Sequence, residues 1–84
     1  MDLYILESQK DGTHYVGISM NIEQRLAEHN NGKVHSTKNK SPWKIIYQES
    51  HGDIKSARTR EKHLKSYRGV GEKRKIIKQY SGIV

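Results

Sequence analysis

The chain has no cysteine, no phenylalanine, one proline and one tryptophan, and only 32% of its 84 residues are hydrophobic. Each shortage excludes something. Without cysteine there are no disulfides and no thiolate metal ligands. No apolar run is long enough to span a membrane, and no basic segment leads into an apolar one as in a signal peptide. The cytoplasm is therefore the expected compartment. Nucleotide-binding glycine patterns, zinc-ligand spacings and a serine triad are all missing. The five histidines are scattered, and no two stand at a chelating interval. So few apolar residues can build only one thin core, which predicts a single domain, 1–84, ordered over about 2–79.

What is present is charge, placed unevenly. Residues 1–32 carry two basic and five acidic side chains, a net of −3; residues 33–84 carry fourteen basic and four acidic, a net of +10. A strongly basic surface suits a polyanion, most simply nucleic acid, although a merely solvated face has the same composition.

The apolar pattern predicts an α+β domain in the order β-β-α-β-α-α. Leu3–Leu6 and His14–Ile18 read as strands, and Asp11-Gly12 between them is a hairpin signal. With a two-residue loop, Ile5 faces Ile18 and Tyr4 faces Ser19. Tyr4, Leu6, Tyr15 and Gly17 then share one face of the sheet, with Gly17 as a gap between two phenols. Asn21 is an N-cap for a helix through about Asn30, stopped by Gly32, with Ile22 and Leu26 inward and Arg25 and His29 on one face near its edge. Residues 33–41 look like a mobile basic loop closed by Pro42, and Trp43–Tyr47 is a third strand. Asp53 caps a helix ending near Gly69. Val70-Gly71 reads as a hinge before a short basic helix from Glu72 to about Tyr80, and Ser81–Val84 as a loose tail.

Glu61 stands out. Ile54, Ala57, Glu61 and Leu64 recur at intervals of three, four and three, the buried stripe of a helix with a carboxylate inside it. A buried carboxylate needs a metal, a cation or a proton. Together with Tyr4, Tyr15, Arg25 and His29 it forms a set sufficient for cutting a phosphodiester. A phenol, or water it activates, supplies the base, arginine stabilises charge on the phosphate, and a carboxylate can hold a hydrated divalent ion. Each member has an ordinary alternative: strand packing for the tyrosines, a polar helix edge for Arg25 and His29, and an ion pair with Lys65 or Arg58 for Glu61.

In order along the chain, Tyr4-Ile5-Leu6, Tyr15-Val16-Gly17, Arg25-Leu26-Ala27-Glu28-His29-Asn30, Pro42-Trp43-Lys44 and Arg60-Glu61-Lys62-His63-Leu64-Lys65 resemble the GIY-YIG nuclease superfamily. They are most similar to its small single-domain bacterial members, akin to the nuclease module of the excision-repair endonuclease. The resemblance implies a three-stranded antiparallel sheet flanked by helices and Mg²⁺- or Mn²⁺-dependent cleavage of DNA. Carried over, Tyr4 and Tyr15 match the two motif tyrosines, Arg25 the helix arginine, His29 the histidine one turn later, and Glu61 the metal-binding glutamate. Tyr4 is the favoured base, which requires a lowered pKa. The first half-motif departs from the family pattern in reading Asp2-Leu3-Tyr4, and His14 opens the second.

The expected function is a metal-dependent DNA endonuclease, structure-directed, in repair or recombination, with DNA and other repair proteins as partners. Lys33, Lys38, Lys40, Arg68, Lys73 and Arg74 would grip phosphates. The rival readings are a catalytically silent nucleic-acid-binding module and an RNA-processing protein.

Overall fold

The structure, a computed structural model, describes residues 1–81. Its elements are β1 (Asp2–Ser8), β2 (His14–Ser19), α1 (Ile22–Asn30), a short 3-10 turn (His35–Thr37), β3 (Trp43–Ser50), α2 (Ile54–Lys65) and α3 (Val70–Tyr80). The order β-β-α-β-α-α and the three-stranded antiparallel sheet are as expected. The strands lie in the order β2-β1-β3, so β1 is central and β2 is an edge.

A central strand covered on both sides needs apolar residues in both directions, and β1 is buried from Leu3 to Ser8. Leu3 and Ile5 join Val16, Ile46 and Leu64 under α2 and α3. Tyr4 and Leu6 join Ile22 and Trp43 under α1. A bulge in β3 opposite Ile5 and Leu6 breaks the alternation, so Ile46 and Tyr47 pack on the same side.

The hairpin register differs from the expected one by two residues: Tyr4 faces Gly17, and Ile5 faces Val16. The turn is longer than Asp11-Gly12 because the Ser8 side chain holds it, accepting from the backbone N–H of Lys10 (3.1 Å) and Asp11 (3.2 Å). A slip of two keeps every side chain on its face. The expected clustering of the two phenols beside Gly17 therefore survives.

The loop 33–41 is pinned rather than mobile. Ser8 Oγ donates to the Lys40 carbonyl (2.6 Å), Lys10 Nζ to Asn39 (3.1 Å), and the Trp43 indole to Thr37 (3.2 Å). Ile54 is 46% exposed, so the buried stripe of α2 reduces to Ala57 and Leu64 with Glu61 at its margin. α2 ends at Lys65, and the break before α3 is a turn over Ser66–Gly69, not Val70-Gly71. A Cβ on Gly69 would lie 1.8 Å from the His63 carbonyl oxygen, so only glycine closes this turn. Arg60 ties the layers together: Nε donates to Glu49 at the end of β3 (2.8 Å), and a second nitrogen meets Glu72 on α3 (2.7 Å). Ser81 donates from Oγ to the buried Glu7 carboxylate and is held; Gly82–Val84 lie outside the described residues.

Candidate active site

Edge strand β2 is where the site forms, because Gly17 leaves it thin. A Cβ there would stand 2.6 Å from the Tyr4 hydroxyl and 2.9 Å from the Tyr15 ring, so the Tyr4 phenol occupies space that any other residue would fill. Tyr4 crosses over the strand towards α1 and meets His29, which lies one turn beyond Arg25. Its hydroxyl is 3.0 Å from His29 Nε2. The Tyr15 ring packs edge-on against the imidazole, with centroids 4.7 Å apart.

His29 is not at a helix edge but fully buried, because α1 ends directly over this point and the turn at 35–37 covers it. Its Nδ1 is 2.8 Å from Thr37 Oγ1, whose own hydroxyl reaches the Val34 carbonyl (3.3 Å). With Thr37 donating to Val34, its oxygen accepts from Nδ1–H, leaving Nε2 to accept from Tyr4 O–H. Burial, aided by the Arg25 charge, pushes the His29 pKa down to about 4, so the ring is neutral at physiological pH. Burial also pushes the Tyr4 phenol up to about 12. Arg25 pulls in the opposite direction but does not win. The lowered pKa expected of Tyr4 is thus absent.

Arg25 is half-exposed and paired with Glu28 on its own helix (3.1 Å), so its guanidinium is held at the rim while still reachable by a phosphate. Glu61 comes from α2, on the other face of the sheet. Its charge is felt by the Tyr4 phenol, which it pushes further up. The Glu61 side chain is 22% exposed and accepts from Lys65 Nζ (3.2 Å). That ammonium also stands 5.5 Å from the centre of the Tyr15 ring. Tyr4, Tyr15 and His29 are therefore in direct contact with Arg25 beside Tyr4, while Glu61 lies within electrostatic reach of the Tyr4 phenol from α2.

Two neighbours went unnoticed in the sequence as parts of this site. Thr37 carried no signal, lying in a polar loop, and Lys65 was visible only as a partner for Glu61 at i+4. Of the six proposed phosphate contacts, Lys33, Lys38, Arg68 and Arg74 are exposed, and Lys40 and Lys73 half-buried. Among the described residues no three His, Asp or Glu side chains converge as a metal cage. Among them, no helix is long and apolar enough to cross a membrane.

A family model described as the GIY-YIG catalytic domain matches residues 2–75. A UPF0213 protein of Syntrophus aciditrophicus is 39% identical over 79 residues, covering 92% of this chain and 88% of its own length. One from Photorhabdus laumondii is 35% identical, covering 92% and 74%. The solution NMR structure of the UPF0213 protein BH0048 from Bacillus halodurans superposes with a TM-score of 0.54 at 25% identity, covering 98% of this chain and 86% of that one. With the family model matching residues 2–75 and a relative 39% identical over nearly the whole chain, the chain belongs to the GIY-YIG catalytic-domain family, a family of nucleases.

Proposed function

We propose that the protein is a divalent-metal-dependent endonuclease that hydrolyses phosphodiester bonds in DNA, acting on DNA of altered structure in repair or recombination alongside other repair proteins. The observation carrying this reading is the buried hydrogen bond between Tyr4 and His29 beside Arg25 and Glu61. A phenol with a pKa near 12 does not act by being ionised beforehand. Its oxygen can instead take a proton from the attacking water while its own proton passes to His29 Nε2, so no free phenolate forms. The water oxygen bonds to phosphorus, the bond to the leaving sugar oxygen breaks, that oxygen takes a proton from solvent, and His29 gives its proton back through Tyr4 to solvent, restoring the neutral pair. Arg25 supplies positive charge to the phosphate as negative charge builds on it. Tyr15 holds the imidazole in place through its ring contact.

The donor set fits a hard, hydrated ion: one half-buried carboxylate, Glu61, with no imidazole or thiolate cage beside it among the described residues. Glu61 would hold Mg²⁺ or Mn²⁺, which supplies Lewis-acid stabilisation of the phosphate when bound. Binding there requires Lys65 to release the carboxylate. The basic residues Lys33, Lys38, Lys40, Arg68, Lys73 and Arg74 contact the phosphate backbone in this reading, giving salt-sensitive binding with little sequence preference.

The test incubates wild type and Glu61→Ala with supercoiled plasmid, branched DNA and structured RNA, with Mg²⁺ or EDTA. Metal-dependent nicking of DNA that is lost in Glu61→Ala supports the reading. Binding without cutting by either protein would indicate a silent binding module, and cutting of RNA alone an RNA-processing enzyme.

A further inference from the structure

The other four tyrosines are all engaged. Tyr4 bonds to His29, Tyr15 packs on the same imidazole, and Tyr47 and Tyr80 pair with each other at 5.4 Å between ring centres. Tyr67 is different. It is 93% exposed, the most exposed large hydrophobic side chain among the described residues, and its ring and hydroxyl have no partner among them.

The turn that presents it is tightly built. The Ser66 backbone N–H and Oγ both donate to the His63 carbonyl (3.1 and 2.6 Å). The Gly69 N–H donates to the Ser66 carbonyl (3.1 Å) and lies 3.2 Å from Ser66 Oγ. Gly69 itself has no room for a Cβ against His63. Tyr67 is therefore an aromatic ring set in water on a fixed base, so little backbone order is lost when something binds it.

Its flanks are cationic. Lys65 lies two residues before it and Arg68 directly after it. Lys65 is also the residue whose ammonium touches Glu61 and faces the Tyr15 ring. The Cα of Tyr67 thus lies within about 7.6 Å of the Cα of Lys65, whose side chain reaches into the candidate active site. An exposed ring followed in the chain by the exposed Arg68, two residues from a lysine that reaches the site, matches a nucleic acid at a place where a base face is free. A fully paired duplex offers there only sugar, phosphate and base edges. An unpaired base offers a π-face, which stacks on an aromatic side chain.

We infer that Tyr67 is a stacking platform for an unpaired base next to the cleavage site, so the preferred ligand is a duplex interrupted by unpaired nucleotides. This rests on the proposed reading that the site binds nucleic acid. The full chain is mixed in EDTA, where cleavage cannot occur, with a duplex carrying 2-aminopurine in a one-nucleotide bulge and with one carrying it paired. Wild type should quench the bulged probe on binding. Tyr67→Ala should weaken binding of the bulged duplex by roughly 5- to 100-fold, the range expected for losing one base–aromatic stack. It should leave the paired duplex unchanged, and Tyr67→Phe should restore both the affinity and the quenching. Arg68→Ala, by contrast, should weaken both duplexes alike. Because Tyr67 is exposed, its replacement leaves the far-ultraviolet circular dichroism unchanged. Equal affinity of Tyr67→Ala and wild type for the bulged probe, or an equal loss on both duplexes, overturns the inference. Stacking without Mg²⁺-dependent cutting sinks the nuclease reading alone, and failure to bind either duplex sinks both.

Discussion

The Tyr4 hydroxyl meets His29 Nε2 at 3.0 Å, and neither residue is more than 1% exposed. A proton donor and its acceptor are sealed together there, while the phenol oxygen keeps a second lone pair. Tyr4→Phe removes the hydroxyl and leaves a buried imidazole nitrogen without a partner. Cleavage should fall by about 10²- to 10⁴-fold, as for loss of a general base. Thermal or urea unfolding should show a loss of about 1–3 kcal/mol from the unsatisfied nitrogen. Activity retained within a few-fold would show that the phenol takes no part in proton transfer.

Burial of neutral His29 makes stability depend on pH. Its pKa falls from 6.5 to about 4 on folding, so between those values the unfolded chain binds more protons than the folded one. His29 therefore contributes a penalty that grows as pH drops through 6.5 and levels off below about 4, reaching on the order of 3 kcal/mol. Glu49, held down against its burial by hydrogen bonds from Tyr47, His51 and Arg60, and Glu72, held down by Arg60, add acid sensitivity only below the ordinary carboxylate value of 4.5. Urea midpoints measured from pH 7 to 4.5 should decline more steeply for wild type than for His29→Gln. Parallel slopes would mean that the imidazole titrates normally.

Gly17 is the position at which the sheet makes room for the two phenols. A methyl group there overlaps the Tyr4 hydroxyl and the Tyr15 ring, so one phenol or the strand must move. Gly17→Ala should destabilise the protein by about 1–3 kcal/mol, the usual effect of overpacking. Cleavage should fall at least about 100-fold, since an ångström of misplacement suffices for that loss. A folded Gly17→Ala with wild-type turnover would place the reacting phenol elsewhere.

Arg60, next to Glu61 in the chain, carries a structural role. It bridges Glu49 and Glu72, and His51 and His63 lie 2.9 and 3.1 Å from the same two carboxylates. Arg60→Ala leaves Glu49 with only Tyr47 and His51 as partners and should lower stability by about 1–3 kcal/mol, as expected for losing hydrogen bonds between charged groups. Glu72→Gln should weaken the same clasp less, its partner sites being more exposed. Protease nicking within 66–80 should accelerate in Arg60→Ala before global unfolding. Unchanged nicking would mean that apolar packing alone holds α3.

Much of this arrangement was legible in the chain because short-range signals and family motifs agreed. Asn21 and Asp53 cap their helices as their side chains suggest, accepting from the N–H of Gln24 and Ser56. The face shared by Tyr4, Tyr15 and Gly17 was correct although the register was not, since an error of two residues conserves side-chain parity. What could not be read was long-range. The anchoring of 33–41 depends on carbonyls meeting Ser8 and Lys10, some thirty residues away. The upward shift of Tyr4 follows from burial beneath α1, and burial outweighs the charge of Arg25. Ile54 fitted the helical period but falls in the first turn of α2, beyond the reach of the core.

Glu61 and the Arg25–His29 pair approach the phenols from opposite faces of the sheet, around its bare edge at β2. Neither helical layer holds the whole of the proposed set, and the two layers have in common only the sheet between them. Turnover therefore reports assembly. A chain whose α2 has come away keeps its phenols, imidazole and guanidinium in register, yet lacks the carboxylate. On the role proposed for Glu61, such a chain would no longer cut even with its β1–β2–α1 half intact.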